Sequence, residues 1–407
     1  MPHARRQAKA DIRALGWTQD VELVRPVGLT AAHCRLRTSE GKPIPGGVGS
    51  GKGFPDAATT GALYEALEHA LTGPGSLKHL EYVLRPSAAV AHGTAGREDA
   101  VRILAEQDDA KVACLRYRAL DGGEDLELPL SLWAPWYVTP TARAAEARGA
   151  LGDTTDYSRV LSYSVNSGCA IGATEDEALL HALNEWVERD AFSLFLWRSI
   201  HEGGDMPPRI PRSSMPAHLA DAIDRIGDAS GRRTFVLDLT SDIGVPVALA
   251  VVAASGSRPA QYGLGASLSG EVALERAVSE LAQGRLIRQA YGGSSQPGLA
   301  VGRRLAQQPR LLACAQIACA DRLYQAPAVK PYADGELAEA PVQEQRHEVV
   351  RRIAASGVRV VAHRLRQLSH GTTVAQVQCP GLERFHLVTE GHFARPGPRA
   401  RAHRDGS

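Results

Sequence analysis

Several features are scarce or missing in this sequence of 407 residues, and each absence excludes a class of protein. No apolar run approaches the roughly 20 residues that cross a bilayer, so the sequence predicts no membrane-spanning segment. The first residues, Met1-Pro2-His3-Ala4-Arg5-Arg6, lack the apolar stretch of a secretory signal. We therefore expect a cytoplasmic protein.

An excess of charge of one sign is also lacking. The chain has 46 basic and 45 acidic residues, which gives a formal net charge of +1. This balance predicts neither nucleic acid nor an anionic membrane as a partner. Apolar residues make up 44% and charged residues 22%, proportions typical of globular proteins.

Cysteine is scarce, with six residues in the chain. Cys314 and Cys319 are close in sequence but lie in a segment with the pattern of an apolar helix, so the spacing favours buried free thiols over a zinc site. Cys169 lies in a glycine-rich segment, but no histidine or other base is its neighbour in sequence. We assign no covalent nucleophile.

Glycine, by contrast, is abundant, and three glycine-rich segments each lead into a helix-patterned segment with polar side chains one turn apart. The segments are 49–53 before Glu65 and Glu68, 167–172 before Glu177, Glu185 and Glu188, and 263–265 before Arg276, Glu280 and Gln283. Side chains three apart share a helix face, and glycine allows a ligand to approach the backbone closely. Carboxylates from several helices suit a hard cation. The sequence thus predicts a site for a magnesium-bound nucleotide.

Each of these segments has an ordinary interpretation as an amphipathic helix with solvated glutamates. All three, however, place an alanine seven residues before a glutamate and a polar residue three later (58, 65 and 68; 178, 185 and 188; 273, 280 and 283). This shared spacing favours a common site. Lys52, between two glycines, suits a phosphate group, although the segment is not a P-loop.

Helix signals fix where these segments begin. Asp56 is the expected N-cap of the first helix. Thr174 and Glu177 form a capping box that opens a helix running to about Trp197, and Ser269 is the expected cap of the third helix. Residues 234–239 and 245–252 read as two strands joined by a turn, whereas 121–160 read as irregular. Strand pairs of this kind indicate a mixed α+β sheet rather than a purely parallel one.

These motifs resemble those of the YcaO-domain family. Residues 167–191 resemble the family signature, and residues 49–68 its "GKG … SAL-x-E-x-x-E" unit. Residues 263–283 resemble its "GxG … AL-x-RA-x-x-E-x-x-Q" unit, and Cys379-Pro380-Gly381-Leu382-Glu383 its "PGLE" strand. The resemblance extends from about residue 48 to residue 385, which is nearly the whole chain.

The resemblance implies a YcaO-type α+β fold of mixed sheets and packed helices, in which three glycine-rich strand–loop–helix units assemble an ATP site. YcaO proteins use ATP and Mg²⁺ to phosphorylate the oxygen of a peptide backbone amide, which activates its carbon towards a nucleophile. The implied domains are an N-terminal lead-in with strands (1–45), a YcaO catalytic domain (46–390) and a basic, flexible tail (391–407).

The resemblance also implies roles for individual residues. Four glutamates would hold magnesium: Glu65, Glu68, Glu185 and Glu188. The nucleotide site would include Lys52, Ser167, Glu177, His181, Arg189, Arg276, Glu280 and Gln283, with Arg276 on phosphate and the last two residues completing the pocket wall.

Three positions depart from the family pattern. Gly61 stands where the family usually has serine, His181 where glutamine is common, and Ala173 where asparagine is common. Such changes tune ATP contacts or reflect partial specialisation. The four metal-type glutamates are retained, which favours an active enzyme over a scaffold subunit with a vestigial ATP site.

The nucleophile is left open by the resemblance. Cyclodehydration of Cys, Ser or Thr to an azoline is the commonest reaction, thioamide formation with a sulfide source is the alternative, and macroamidine formation is a third. Azoline-forming members often end in a "PxPxP" tail, whereas residues 395–401 contain only Pro-x-Pro. The implied partners are a precursor peptide, an E1-like or TfuA-like protein that delivers it, and a second copy of the chain in a homodimer.

Overall fold

The computed structural model describes residues 2–24, 29–255, 258–291, 296–324, 329–331 and 337–402. Its strands are β1 (Trp17–Val24), β2 (Thr30–Thr38), β3 (Pro43–Gly53), β4 (Tyr82–Pro86), β5 (Lys111–Ala119), β6 (Leu126–Pro129), β7 (Cys169–Gly172), β8 (Thr234–Asp238), β9 (Val247–Val252), β10 (Gln261–Ala266), β11 (Val361–Gln367) and β12 (Thr373–Gln378). Its α-helices are α1 (Pro2–Ala14), α2 (Pro55–Thr72), α3 (Asp99–Ala105), α4 (Pro135–Val138), α5 (Ala142–Leu151), α6 (Glu175–Phe195), α7 (Ala217–Ser230), α8 (Gly270–Tyr291), α9 (Gln296–Leu305), α10 (Pro309–Ala315), α11 (Ala320–Tyr324), α12 (Val342–Ala355) and α13 (Pro398–Arg401).

The strands form three sheets, ordered β1-β2-β3, β10-β9-β8 and β4-β5-β11-β12-β7, with β6 paired to β5. Every pair of these strands is antiparallel. The α+β class is therefore as expected, but the expectation of mixed sheets is wrong. The reason is that α2, α6 and α8 each connect strands of different sheets, so none of them makes the crossover that parallel neighbours require.

Strand β3 packs directly against α2, the helix that follows it. A Cβ atom on Gly51 would lie 1.7 Å from the carbonyl oxygen of Ala58, and one on Gly49 would lie 2.2 Å from the nitrogen of Ala66. Only glycine fits at such distances. The glycines of this strand therefore admit the backbone of a helix.

Strand β10 packs on α8 in the same way. A Cβ on Gly265 would lie 2.1 Å from the carbonyl oxygen of Ala273, and one on Gly263 would lie 2.3 Å from that of Ala277. These contacts give the glycines a packing role that the sequence did not predict. At these four positions the glycines bring a helix close to its strand.

Helix α6 is buried over most of its length and packs against β7, β12 and α12. Thr174 caps it as expected, because its hydroxyl accepts the N–H of Glu177 at 3.2 Å. The capping box is altered, since the Glu177 carboxylate accepts the N–H of Ala173 at 2.8 Å rather than that of the cap residue. A π-helical turn, Leu196–His201, continues the helix. Within the described residues, no helix combines the length and apolarity needed to cross a membrane.

Three further expectations are corrected by the structure. Phe54, not Asp56, occupies the N-cap position of α2, and the Asp56 carboxylate pairs with Arg5 at 2.8 Å. Residues 121–160 contain β6, α4 and α5 rather than irregular chain alone. The predicted boundary between residues 45 and 46 falls inside β3, which pairs with β2 and cannot be divided from it.

The first part of the tail is held against α6. Arg399 makes two hydrogen bonds to the fully buried Asp190, at 3.0 and 3.1 Å. The Glu383 carboxylate accepts the N–H groups of Gly397 and Ala400 at 2.6 and 2.9 Å, at the N-terminus of α13. Residues 391–402 are thus anchored where a flexible tail was expected, and 403–407 lie outside the described residues.

The substitution Gly51→Ala tests the close packing of β3 on α2. The added methyl group would overlap the Ala58 carbonyl, and overpacking of a tight contact typically costs about 1–3 kcal/mol and sometimes more. We expect a loss near the upper end, about 3 kcal/mol, in the free energy of unfolding measured by chemical denaturation. Gly75→Ala is the matched control, because a Cβ there would meet no atom within 4 Å. Equal stability of the two variants would contradict the packing argument.

Candidate functional site

A cleft of about 710 Å³ lies where α2, α6 and α8 meet the end of β3. Eleven of the twelve site residues predicted from the sequence line it: Lys52, Glu65, Glu68, Glu177, His181, Glu185, Glu188, Arg189, Arg276, Glu280 and Gln283. Segments more than 200 residues apart in sequence therefore contribute to a single cavity. Ser167 lines an adjoining cavity instead.

The end of β3 is joined to α8 by two polar contacts across the cleft. Lys52 Nζ donates to Glu280 Oε2 at 3.0 Å, and Gln283 Nε2 donates to the carbonyl oxygen of Ser50 at 2.9 Å. Burial by itself would raise the pKa of Glu280, but Lys52 and Arg189 lower it. Glu280 is thus a carboxylate whose charge is already paired.

Helix α2 contributes Glu65 and Glu68, one turn apart. The backbone N–H of Ser50 donates to Glu65 Oε2 at 3.2 Å. Burial raises the pKa of Glu65, and burial together with the Glu185 and Glu65 carboxylates raises that of Glu68 well above its usual value. Carboxylates of two different helices therefore repel each other here.

Helix α6 contributes Glu185, Glu188 and Arg189. Arg189 lies 3.9 Å from an oxygen of each carboxylate, too far for a hydrogen bond. Burial raises the pKa of Glu185 to about 7 and also raises that of Glu188, although Arg189 acts in the opposite direction on both. Arg189 thus offsets only part of their negative charge.

His181 and Arg276 have their polar groups available to a ligand. Within the described residues, neither side chain makes a hydrogen bond or an ion pair. Burial within the cleft, together with Arg276 and Lys52, lowers the pKa of His181, so its ring is neutral. An arginine without a partner beside a neutral imidazole suits an anionic, hydrogen-bonding ligand such as a nucleotide phosphate.

The donor set of the cleft fits Mg²⁺ chemically, because this cation takes carboxylate and phosphate oxygens as ligands. In the part of the chain that the structure describes, no three acidic, histidine or cysteine side chains already form a metal cluster. A cation between α2 and α6 would offset the repulsion between Glu68 and Glu185. The carboxylates of α2 and α6 therefore suit a cation that also binds phosphate oxygens.

The positions that depart from the family pattern lie at the edge of this cleft. Ala173 and Gly61 both line it, and the backbone of Ala173 is bound by Glu177. Cys169 lines it as well, but burial together with Glu68 and Glu185 raises the pKa of its thiol well above the usual value. The thiol stays protonated at neutral pH, which agrees with assigning no covalent nucleophile.

The adjoining cavity, of about 470 Å³, was not predicted from the sequence. It shares Asn166, Glu185 and Arg189 with the cleft, and Ser167 and His386 lie in its own wall. The sequence carried one partial signal for it, the "PGLE" motif that ends three residues before His386. Nothing in the sequence connects His386 to α6, from which it is about 190 residues away.

This chain is similar in sequence to a family of known proteins and to two further proteins. The model of a family described as YcaO cyclodehydratase, ATP- and Mg²⁺-binding, matches residues 50–383. An uncharacterised protein in the tfuA 3′ region of Rhizobium leguminosarum bv. trifolii is 28% identical over 293 residues, which are 68% of this chain and 63% of that protein. An uncharacterised protein of Methanothermobacter thermautotrophicus is 34% identical over 125 residues, 30% of this chain and 31% of that protein. The chain thus spans less than two thirds of the length of either relative.

Solved structures share the fold. YcaO from Methanopyrus kandleri, bound with AMPPCP and Mg²⁺, matches with a TM-score of 0.66 and 18% identity over 98% of this chain and 94% of that one. A heterocyclase in complex with substrate and cofactor matches with a TM-score of 0.60 and 18% identity, over 94% of this chain and 53% of that one. The Escherichia coli microcin synthetase McbBCD complex matches with a TM-score of 0.59 and 14% identity, over 90% and 88%.

The family model covers well over half of the chain, including the three strand–helix segments that surround the cleft. The chain therefore belongs to the YcaO family of ATP- and Mg²⁺-dependent enzymes.

Proposed function

We propose that this protein binds ATP and Mg²⁺ in the cleft and transfers the γ-phosphoryl group to the oxygen of a peptide backbone amide. The observation that carries the proposal is the convergence of partly compensated carboxylates from α2 and α6 with Lys52, Arg189 and Arg276. Phosphoryl transfer depends mainly on positioning and on neutralisation of charge. The cleft offers carboxylates that can hold a cation and basic side chains that can neutralise phosphate charge.

In this proposal the three strand–helix units divide the work. Glu65 and Glu68 on α2, with Glu185 and Glu188 on α6, hold magnesium, which neutralises phosphate charge when bound. The remaining predicted residues surround the nucleotide: Lys52, Glu177, His181, Arg189, Arg276, Glu280 and Gln283. Ser167 lines the adjoining cavity instead of the cleft, and we assign it to the peptide rather than to the nucleotide.

Among these residues, Arg276 is the strongest candidate for a phosphate contact. Within the described residues it has no ion-pair partner, whereas Lys52 is bound to Glu280 and Arg189 lies between two glutamates. A guanidinium group can donate two parallel hydrogen bonds to phosphate oxygens. Lys52 in turn positions Glu280 and the end of β3.

For the nucleophile, we propose the side chain of a Cys, Ser or Thr of the peptide, which gives an azoline. A second candidate, thioamide formation with a TfuA-like partner and a sulfide source, is favoured by one specific observation: the Rhizobium relative is described by its place next to tfuA. Macroamidine formation is the third reaction open to an activated amide. In each reaction a partner protein delivers the precursor peptide, and the microcin synthetase offers a precedent for action within a complex.

The metal assignment is tested by the double substitution Glu185→Gln with Glu188→Gln. We expect peptide-dependent consumption of ATP to fall by more than about 100-fold. The reason is that mutation of a residue that only supports a metal ligand already lowers metal affinity or activity by about 10- to 100-fold. Titration with Mg²⁺ should show a raised requirement for the ion. Glu175→Gln is the control on the same helix, because Glu175 pairs with Arg118 and Arg364 outside the cleft. Persistence of wild-type activity in the double variant would refute the assignment.

The reaction itself is tested by the mass of a precursor peptide that is co-expressed with this protein and its partner. Loss of one water indicates an azoline or an amidine, and exchange of one oxygen for sulfur indicates a thioamide. We expect one of these changes, dependent on ATP and Mg²⁺. An unmodified peptide, with ATP bound but not consumed, would instead favour a scaffold subunit with a vestigial ATP site.

A further inference from the structure

The cavity beside the cleft contains a histidine to which the phosphoryl-transfer chemistry gives no role. His386 is 4% exposed and lies in the cavity wall. Apolar side chains such as Leu161 and Val165 line the same cavity. Since the cavity shares Asn166, Glu185 and Arg189 with the cleft, a group held here lies next to one held there.

Ser193 of α6 fixes the orientation of the His386 ring. The Ser193 hydroxyl lies 3.2 Å from Nδ1 of His386 and accepts the backbone N–H of the same residue at 2.9 Å. It donates its single hydrogen to the carbonyl oxygen of Arg189 at 2.7 Å. The same oxygen lies 3.4 Å from the carbonyl oxygen of Glu383. Two carbonyl groups thus compete for its one hydrogen, which favours the arrangement in which the hydroxyl accepts from the ring.

The proton of the neutral imidazole is therefore on Nδ1, and Nε2 carries a lone pair. Within the described residues, Nε2 has no hydrogen-bond partner. Burial, together with Arg189 of α6 and Arg384 of its own segment, lowers the pKa of His386 well below the usual value. The ring thus enters the reaction unprotonated.

We propose that Nε2 of His386 is the general base that removes the proton from the nucleophile as it attacks the activated amide. This inference rests on the proposed function. The new bond joins the nucleophile's sulfur or oxygen to the amide carbon, and the proton passes to Nε2. The lone pair of the amide nitrogen then forms the C=N bond as the bond from that carbon to the phosphorylated oxygen breaks. Phosphate leaves, the nitrogen loses its proton to water, and His386 returns its own proton to the departing phosphate or to water.

Other groups near the cavity are less suited to this step. His392 also lines the cavity, but its Nε2 lies 3.9 Å from the carboxylate of Glu390, whose side chain is 57% exposed. Glu185 is assigned to magnesium, and the Cys169 thiol is protonated. Among the described groups of the cavity, His386 combines an oriented ring with a nitrogen, Nε2, that has no hydrogen-bond partner.

The test compares imidazole and pyrazole as rescuing agents for His386→Ala. The two rings have nearly the same shape and both offer an N–H to Ser193, but pyrazole is a far weaker base. We expect the variant to modify the precursor peptide about 100-fold more slowly than the wild type, within the range of general-base catalysis. Imidazole should raise the rate of the variant by at least about tenfold, and pyrazole should leave that rate unchanged. ATP affinity should be unchanged.

Each other outcome has a definite meaning. Equal rescue by both rings, or a wild-type rate without either ring, would refute the role of His386 as the general base. Either result would leave the proposed function intact. If the wild-type protein modifies no peptide, the proposed function is refuted, and so is the role of His386 as its general base.

Two further variants serve as checks. His386→Asn keeps an N–H donor towards Ser193 and most of the side-chain volume, so it shows whether the fold tolerates loss of the ring. We expect it to be as slow as His386→Ala. His363→Ala is the matched control, because its Nδ1 also lies near a hydrogen-bond partner, the carbonyl oxygen of Arg116 at 2.9 Å, but outside both cavities. We expect it to react at the wild-type rate.

Discussion

The close approach of glycine-bearing strands to the helices that follow them is the constraint on which the rest of the site depends. In β3 and β10, glycines alternate along the strand and face alanines on the helix, so the two backbones are in contact. A side chain at any of these positions would push the helix outwards by the width of a methyl group or more. The polar side chains of α2 and α8 would then leave the cleft, and the contacts of Lys52 and Gln283 across it would break.

This packing has an electrostatic consequence. It buries carboxylates of α2 and α6 beside one another, and desolvation makes such an arrangement unfavourable unless cations offset it. Arg189 and Arg276 offset part of the charge at Glu185, yet burial and the neighbouring carboxylates still raise the pKa values of Glu68 and Glu185. In the proposed function, a ligand that carries magnesium would remove this penalty and would therefore bind more tightly than its contacts alone would give.

Much of the candidate site could be predicted, because helix periodicity and helix caps depend on residues that are close in sequence. The spacing of Glu65 with Glu68, and of Glu185 with Glu188, follows from helix periodicity, and Thr174 is a local cap. The packing role of the glycines could not be predicted, because it depends on the distance between a strand and a helix, which no sequence pattern specifies. The antiparallel sheets were missed for a related reason, since the partner of each strand is decided by long-range packing. The pairs Ser193 with His386 and Asp190 with Arg399 join residues about 200 positions apart, so only the fold reveals them.

Helix α6 connects the two cavities and the tail, because residues on its successive turns contact each of them. Glu185, Arg189 and Ser193 are four residues apart and therefore share a face. The first two border both cavities, and the third orients His386 in the second one. Asp190, directly after Arg189 in sequence, is held from the other side by Arg399 of the tail. A shift of α6 along its axis would thus disturb both cavities and the contact with the tail together. Anchoring of Arg399 on Asp190 opposes such a shift, which gives this residue of the tail a part in aligning two cavities that it does not line.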